Sequence, residues 1–376
     1  MQVPEDHAHG LAESVVQMYP ELALVREVAG DPVYLVGGAV RDLLLGRGRA
    51  DIDLVVEGDA SALAGRLGAD VISHERFGTA KVRLDGHEVD IAGARSESYP
   101  HPGALPVIAA GVDLADDLRR RDFTINAMAI PLLGEPRLID PHGGRGDLAR
   151  GQLRVLHDDS FADDPTRAIR AARYAARFGL ALEQHTAELL GKTDLDTVSA
   201  DRREAELLRL AGEGSAARAL ALLAEWGLVE LRPGGTELVA GAAELLEDEA
   251  WSALAPRDRT LLAAAIGPPG GEEALAATQP ARPSEAVALA GASDGTELVL
   301  ARVLGAEWLD RYLGEWRDVA LEIDGSDLIQ AGLEQGPALG RGLEEALRRK
   351  LDGEIAGPDE ELAVALEAAR SDDGVA

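Results

Sequence analysis

Two patterns of hydrophobic and polar residues succeed one another along this chain, and the change falls near Gly146. Before it, short apolar runs are bounded by glycine, proline and aspartate, which is typical of strands. The predicted strands are Pro32–Val36, Asp51–Val56, Ala80–Leu84, Glu88–Ala92 and, more weakly, Phe123–Ile130 and Arg137–Asp140. The segment Phe123–Ile130 fits a helix equally well, and Val40–Leu45 is predicted to start one. Together these elements predict a small α/β domain over about residues 25–145.

Beyond Gly146 the spacing of apolar residues is that of amphipathic helices. Asp163-Asp164-Pro165 is a helix start, with an acidic cap before proline at the first helical position. The helix is predicted over Thr166–Phe178 and ends at Gly179. Further helices are predicted at Arg202–Ala211 and Ala216–Trp226, a loop at Gly267–Pro283, and helices again up to a polar tail at Ser371–Ala376.

Composition narrows the class of protein. Hydrophobic residues make up 46% of the 376 positions and aromatic residues only 3%, so the cores must be built mainly from Leu, Ala and Val. The chain has no cysteine, which excludes disulfides and cysteine zinc sites and favours a reducing cytoplasm. Met1–Gly10 lacks the features of a signal peptide, and no apolar run reaches the roughly 18 residues of a membrane span, so we expect a soluble, cytoplasmic protein. All eight histidines lie at or before His185, which excludes a histidine–aspartate phosphohydrolase domain in the second half.

The net charge of −30 argues against a nucleic-acid partner, because a polyanion normally needs a basic surface. A local basic stripe would remove that objection.

Candidate chemistry starts with a glycine pair, Gly37-Gly38, followed by Arg41 and then by Asp51-Ile52-Asp53. In a strand, residues two apart point to the same side, so Asp51 and Asp53 would place two carboxylates together. Two adjacent like charges call for a cation, and Mg²⁺ with oxygen ligands fits. The glycines would let backbone N–H groups approach phosphate oxygens, with Arg41 as a charged donor. The alternative is a solvated strand face beside an ordinary glycine turn.

A run of three arginines, Arg119 to Arg121, precedes the apolar segment that begins at Phe123. It is suited to clamp a triphosphate, or it is an exposed charge run.

On the helix that follows Asp164, Arg167, Arg170, Arg173 and Arg177 share one broad face and supply a basic stripe. Asp164 is either a helix cap or part of a base-reading pair with Arg167. Asp only accepts hydrogen bonds and Arg only donates them. Cytosine and adenine offer an amino donor beside a ring-nitrogen acceptor, whereas guanine and uracil offer the opposite polarity. The pair would thus choose C or A without a template.

The segments that carry this chemistry resemble, in order and spacing, the motifs of class II tRNA nucleotidyltransferases, the bacterial and eukaryotic CCA-adding enzymes and their poly(A) polymerase relatives. They are Gly37–Asp42, Asp51–Asp53, Arg120–Ala127, Asp164–Arg167, Val198–Arg202, Ile323–Ile329 and Gly336–Gly340. One departure is Asp163-Asp164, where the family has Glu-Asp.

The resemblance implies an α/β, polymerase-β-like nucleotidyltransferase head over residues 1–145. It implies an all-α remainder, with a nucleotide-selecting and RNA-binding neck over 146–230 and a tRNA-binding body and tail over 231–376. It implies Mg²⁺ on Asp51 and Asp53, with Asp90 as a third catalytic carboxylate. The implied nucleotide contacts are Gly38, Arg41, Arg121, Asp164, Arg167, Arg170 and Arg173.

The expected function is Mg²⁺-dependent transfer of CMP and/or AMP from CTP and ATP to the 3′ end of tRNA, with release of pyrophosphate. No membrane and no obligate protein partner is expected. Full CCA, CC-only, A-only and poly(A) addition share these motifs, and the family distinguishes them by a flexible loop that we place within Arg95–Val112. A rival from another class is a non-catalytic RNA-binding protein on the same scaffold.

Overall fold

The computed structural model describes residues 14–371 apart from 16, 49, 69–70, 75–77 and 136, and only the backbone of 71–74. Its first unit, up to Glu230, is built on a six-stranded sheet in the order β3-β4-β5-β2-β1-β8. The strands are β1 Val33–Val36, β2 Ile52–Val56, β3 Val71–His74, β4 Thr79–Leu84, β5 His87–Gly93 and β8 Ala129–Pro131. Strands β2 and β5 are parallel, and the other neighbours are antiparallel.

The strands predicted near residues 32, 51, 80 and 88 are confirmed, and the β4–β5 connection turns at Asp85 with φ of +48°. Phe123–Ile130 divides into a 3₁₀ turn at Thr124–Asn126 and the short strand β8, so neither single-element interpretation was right. Arg137–Asp140 contributes only an isolated bridge from Ile139 to β8.

One face of the sheet packs on helices α1 Leu22–Val28 and α3 Ala60–Leu67, and this side holds the larger apolar core. The other face carries α4 Leu114–Arg119, whose Leu114 and Leu118 pack on β1 and β2. A hairpin of β6 Arg95–Ser98 and β7 Val107–Ala110 adjoins α4. The larger core closes one face, so functional side chains must gather on the face that carries α4.

Helix α2 spans Gly38–Leu44 and starts two residues before the predicted Val40. The chain reverses direction at Gly37, which has φ of +66°. A Cβ there would lie 3.0 Å from Arg121 Nη1 and 3.8 Å from Asp53 Oδ2. Glycine is therefore needed for both the backbone conformation and the close approach of these side chains.

The helical part of this unit was predicted correctly in its main element. Helix α7 spans Thr166–Phe178 and ends at Gly179 in the left-handed conformation, as predicted. The remaining helices are α5 Gly144–Arg150, α6 Ser160–Asp163, α8 Gln184–Leu190, α9 Ala200–Ala211 and α10 Ala216–Glu225, with a 3₁₀ turn at Leu195–Thr197. The predicted change to a helical pattern after Gly146 is confirmed; one pair of two-residue strands, β9 Gln152–Leu153 and β10 Ala181–Leu182, pairs in parallel between these helices.

The described part of the second unit, from Leu231 onward, consists of helices joined by turns and contains no strand. Its helices are α11 Gly235–Leu245, α12 Glu249–Ser252, α13 Arg257–Ile266, α14 Gly271–Ala277, α15 Pro283–Gly291, α16 Gly295–Val303, α17 Trp308–Arg311, α18 Gly325–Gln330, α19 Pro337–Leu351 and α20 Pro358–Arg370, with a π-helical turn at Tyr312–Trp316. The predicted loop Gly267–Pro283 is corrected by α14. Its Leu275 is buried and its Glu272 pairs with Arg232 at 2.9 Å, which offsets the glycines around it. Ser371 ends the described chain and the rest of the predicted tail lies outside it. Across the described residues, no helix has the length and apolarity to cross a bilayer.

Candidate active site

A cavity of about 380 Å³ opens where the glycine turn, β2, the arginine run and helix α7 meet. Seven arginines and four carboxylates line it, together with glycines, two tyrosines and an asparagine. The lining residues are Gly37, Gly38, Arg41, Asp53, Glu97, Tyr99, Arg120, Arg121, Asp122, Asn126, Asp164, Arg167, Arg170, Arg173, Tyr174 and Arg177. Segments that are up to 140 residues apart in sequence therefore share one strongly cationic recess.

The predicted catalytic carboxylates gather around β2. Asp53 is the register partner of Asp90 on the parallel neighbour β5, so their side chains leave the same face of adjacent strands. Asp51 directly precedes β2 and is exposed. Desolvation by the surrounding protein atoms raises the pKa of Asp53 to about 6. The positive charge of Arg121 opposes this rise, whereas the negative charges of Asp90 and Asp51 add to it.

This donor set fits Mg²⁺. The mutual repulsion of the three carboxylates is what a divalent cation would relieve. Within the described part of the chain, no three acidic or histidine side chains form a complete metal cage. A cation held by Asp51 and Asp53 would thus keep positions for water or phosphate oxygens, as Mg²⁺ usually does.

Arg41 lies under the glycine turn and is buried. Its Nε donates to Asp42 at 2.8 Å and its Nη1 donates to Asn126 Oδ1 at 2.6 Å. Its guanidinium also stacks 4.3 Å from the centre of the Phe178 ring. A Cβ on Gly38 would be only 3.4 Å from Arg41 Nη2. The guanidinium predicted to contact nucleotide is therefore rigidly held at the cavity wall.

The arginine run is largely an internal feature. The fully buried carboxylate of Asp117 accepts from Arg120 Nη2 at 2.8 Å and from Arg121 Nη2 at 3.0 Å. Arg121 Nε is buried without a hydrogen-bond partner beside the cavity. Arg119 alone has a mostly exposed side chain. The charge-run interpretation thus holds for Arg119, whereas Arg120 and Arg121 face the cavity.

Asp164 and Arg167 both line the cavity but do not pair with each other. Asp164 caps the helix, since its Oδ1 accepts from the Thr166 backbone at 3.2 Å. The same oxygen accepts from Thr166 Oγ1 and from Arg202 at 3.0 Å. The capping prediction is confirmed, and every one of these bonds goes to one oxygen. Oδ2 therefore remains able to accept from a ligand.

Arg167 is buried, and protein oxygens occupy part of its guanidinium. Nη1 donates to Ser160 Oγ at 2.8 Å and Nη2 donates to the Arg120 carbonyl at 2.9 Å. Because arginine has five N–H donors, these bonds fix its orientation and leave donors for a ligand.

The arginine stripe shares one face, as predicted, but it is not a free RNA-binding surface. Arg170 Nη2 donates to Asp122 at 2.6 Å. Arg173 and Arg177 lie 3.7 and 3.6 Å from the Glu213 carboxylate. The expectation that these residues supply unneutralised positive potential for RNA is corrected, since the helix turns them toward the cavity and acidic partners.

Several cavity residues were not singled out from the sequence. Asn126 bridges Arg41 and Asp122, whose Oδ1 accepts from Asn126 Nδ2 at 2.9 Å. Tyr99, from the segment assigned to the flexible loop, donates to Glu97 at 3.1 Å. Burial raises the pKa of Tyr99 to about 12, although Arg167 opposes the shift, so the hydroxyl stays protonated. Asp122 and Asn126 both lie inside the motif Arg120–Ala127, which was the available signal, whereas Tyr99 lies outside every motif.

The Asp122–Arg170 pair makes a prediction about stability. Burial raises the pKa of Asp122, but Arg170 and the Asn126 hydrogen bond outweigh it and bring the pKa from 3.8 to about 2. A folded pKa below the unfolded value stabilises the fold above pH 4, by about 2 kcal/mol. We expect this contribution to vanish as the pH falls from about 5 to 2. Urea unfolding of wild type and Asp122→Asn should show a difference at pH 7 that shrinks toward pH 3, and a pH-independent difference would contradict the assignment.

Comparisons with known proteins agree with this geometry. Residues 33–154 match the family described as the poly A polymerase head domain. The chain is 37% identical over 345 residues to the CC-adding tRNA nucleotidyltransferase of Deinococcus radiodurans, covering 87% of each chain. Over 188 residues the chain is 46% identical to the A-adding tRNA nucleotidyltransferase of Halalkalibacterium halodurans. This match spans 48% of the present chain and 44% of that relative. A solved structure of a CCA-adding enzyme in an apo form superposes with a TM-score of 0.80 at 28% identity, over 98% of this chain and 100% of that one.

The α/β sheet and the helices that follow it define a nucleotidyltransferase with a poly(A)-polymerase-type head. The fold class expected from the resemblance is thereby confirmed. The chain belongs to the class II tRNA nucleotidyltransferases, the family of CCA-, CC- and A-adding enzymes.

Proposed function

We propose that this protein transfers CMP and/or AMP from CTP and ATP to the 3′ end of tRNA and releases pyrophosphate. The observation that carries the proposal is the single cavity in which Asp53, the arginines of two separate segments and the Asp164–Arg167 helix start all meet. Such a cavity offers cations for a triphosphate, a carboxylate for the reacting centre and a mixed acceptor–donor edge for a base.

The assignment of roles follows from the contacts. Arg41 and Arg121, each held by protein hydrogen bonds, bind the phosphates beside Gly38. Arg170 and Arg173 flank the nucleotide, and Arg173 Nε is a buried donor without a protein partner. Asp164 Oδ2 and the remaining N–H groups of Arg167 face the base. Because their orientation is fixed before binding, little ordering is needed when the nucleotide arrives.

In the reaction, the 3′-hydroxyl of the RNA loses its proton to solvent water, and its oxygen forms a bond to the α-phosphorus of the nucleotide. The bond from that phosphorus to the oxygen bridging the β-phosphate breaks, and pyrophosphate leaves with the electron pair. Asp51 and Asp53, with Asp90 beside them, would hold Mg²⁺, which supplies Lewis-acid stabilisation of the phosphoryl oxygens and lowers the pKa of the attacking hydroxyl. The absence of cysteine supports a cytoplasmic site for this reaction.

The test uses three tRNA substrates, ending before CCA, after the first C and after CC, each incubated with one NTP at a time. Addition of C to the first two and A to the third indicates CCA synthesis. Addition of C alone or of A alone indicates a specialised enzyme, and long A tracts on any RNA indicate poly(A) polymerase. No addition to any substrate, with tRNA binding retained, would support the rival non-catalytic RNA-binding protein.

The affinity for tRNA is expected to fall only weakly with salt. The cavity arginines are already paired with carboxylates, so few cations remain to neutralise phosphates. With about three phosphates neutralised, at about 0.7 to 0.9 each, the slope of log affinity against log salt would lie between about −2 and −2.7. Filter binding of tRNA at salt concentrations from about 50 to about 300 mM measures this slope. A salt-independent affinity, or no tRNA binding at all, would refute tRNA as the acceptor.

A further inference from the structure

Asp164 and Arg167 can contact a base only along its edge, so the two flat faces of that base need other contacts. Proteins commonly hold an unpaired base with an aromatic ring against one face, and the gain is similar for every base. In the described part of the chain, two aromatic side chains, Tyr99 and Tyr174, line the recess of about 380 Å³, the arginine cavity. The surroundings of each ring decide which of the two is available to a base.

The ring of Tyr174 is already covered by protein groups. Only 8% of the residue is exposed. The ring stacks on Phe178 with 6.1 Å between the ring centres, and Phe123 packs edge-on at 5.8 Å. The guanidinium groups of Arg170 and Arg173 lie 5.6 and 5.1 Å from the ring centre. Tyr174 is therefore part of the cavity wall and leaves Tyr99 as the aromatic side chain for a base.

Tyr99 lies at the end of the cavity where the base-reading pair is found. The guanidinium carbon of Arg167 lies over the face of the Tyr99 ring, 6.0 Å from its centre. The tyrosine is half-buried, and its hydroxyl donates to Glu97 at 3.1 Å. Glu97 in turn accepts from Arg120 at 2.9 Å. The hydroxyl thus anchors the ring at its far edge and leaves a face of the ring directed toward Arg167.

The position of a bound base follows from the planar geometry of arginine. A base that accepts from Arg167 lies near the plane of the guanidinium, because the N–H groups lie in that plane. It therefore extends on the side of the Tyr99 ring that Arg167 already faces. Burial is the main cause of the raised pKa of Tyr99, and the charge of Asp164 adds to the rise, so this carboxylate is also a near neighbour of the ring.

We propose that Tyr99 is the stacking platform for the base of the incoming nucleotide. The inference rests on the proposed function and deepens it: Asp164 and Arg167 choose the base by polarity, whereas Tyr99 supplies affinity for any flat base. Stacking depends on the area of ring overlap, so adenine, with two fused rings, gains more from Tyr99 than cytosine does. A triphosphate tail bound by the arginines gains nothing from the ring.

Four variants test the platform. Tyr99→Leu and Tyr99→Met both remove the ring, so the test stands if one of them fails to fold. Tyr99→Phe keeps the ring and loses only the hydrogen bond to Glu97. Tyr34→Leu is the matched control, since Tyr34 is a partly buried tyrosine of β1 that does not line the cavity. Calorimetric titration of the full chain, with Mg²⁺ and without tRNA, measures the affinities for ATP, CTP, GTP and inorganic tripolyphosphate.

Tyr99→Leu is expected to weaken ATP binding by about five- to a hundredfold, the loss typical of removing an aromatic ring beneath a base. CTP binding should weaken by a smaller factor. The affinity for tripolyphosphate should stay unchanged, because this probe has no base. The ratio of ATP to GTP affinity should also stay unchanged, since both purines offer the same ring area. Tyr99→Phe and Tyr34→Leu should bind all four probes like wild type.

Two results would overturn the platform through the contacts of Tyr99 itself. Equal weakening of ATP and tripolyphosphate in Tyr99→Leu would show that Tyr99 acts on the arginines through Glu97. A loss in Tyr99→Phe as large as that in Tyr99→Leu would assign the effect to the hydroxyl.

Transfer assays on the same proteins separate the platform from the proposed function. A wild type that adds nucleotides to tRNA, with ATP affinity in Tyr99→Leu equal to that in Tyr34→Leu, would overturn the platform alone. A wild type that adds no nucleotide, with ATP affinity still lost selectively in Tyr99→Leu, would refute the proposed transfer and support the platform.

Discussion

Replacing Asp53 with alanine is expected to abolish nucleotide transfer, with a rate loss on the order of 10³-fold or more. Asp53 lines the arginine cavity, and its register partner on the parallel neighbouring strand is Asp90. Its removal takes away the one proposed Mg²⁺ ligand that lines the arginine cavity. Single-turnover transfer of radiolabelled CMP to tRNA measures the loss.

The controls follow from the contacts of Asp53. Asp51→Ala should be impaired as well, whereas Asp116→Ala, an exposed carboxylate of α4 paired with Arg119, should keep normal activity. Binding of tRNA should survive in all three. The thermal midpoint of Asp53→Asn should not fall, because the variant relieves repulsion from Asp90 and Asp51. More than about a tenth of wild-type activity in Asp53→Ala would refute the metal assignment.

Asp164→Asn is expected to keep the fold and lose the choice of base. The amide oxygen can replace Oδ1, which caps α7 and accepts from Arg202. The amide NH₂ then stands where Oδ2 accepted, so the polarity toward the base is reversed. The amino group of cytosine or adenine would then face another hydrogen-bond donor. The carbonyl of uracil or guanine could instead accept a hydrogen bond from the amide NH₂.

The magnitude follows from what a mismatched base leaves unpaired. A buried group without its partner costs about 1–3 kcal/mol, which corresponds to roughly ten- to hundredfold in selectivity. Incorporation of CTP, ATP, UTP and GTP into tRNA under competition measures the preference. Arg167→Ala should lower the incorporation of CTP and ATP. It should also reduce the preference for these two nucleotides over UTP and GTP. Its loss should not change tRNA affinity.

Asp164→Ser distinguishes base reading from capping. Serine is a good cap, so the helix should be preserved, but it has no second oxygen to face the base. An unchanged unfolding midpoint with collapsed preference supports base reading. Wild-type preference for CTP and ATP in Asp164→Ser would leave Asp164 as a helix cap alone.

The sequence by itself determined the elements that rest on local signals. The bounds of α7 follow from proline and an acidic cap at one end and glycine at the other, all within a few residues. The Asp85-Gly86 turn and its two strands are equally local. The family resemblance is also readable without coordinates, because the motifs keep their residue types and order. By contrast, α14 was missed where glycine and proline are frequent, since burial of Leu275 comes from packing.

Only the tertiary structure decided which charged groups meet. Arg41 donates to Asn126, 85 residues away, and Arg170 donates to Asp122, 48 residues away. With 37 basic and 67 acidic side chains in the chain, spacing along a helix shows that arginines share a face but not which carboxylates oppose them. The stripe on α7 was therefore assigned to RNA from periodicity, and strand and helix packing turned it into a paired cavity wall. The ion pair between Lys81 and Asp90, at 3.3 Å, likewise gave no signal in the sequence, because it depends on the register of two neighbouring strands.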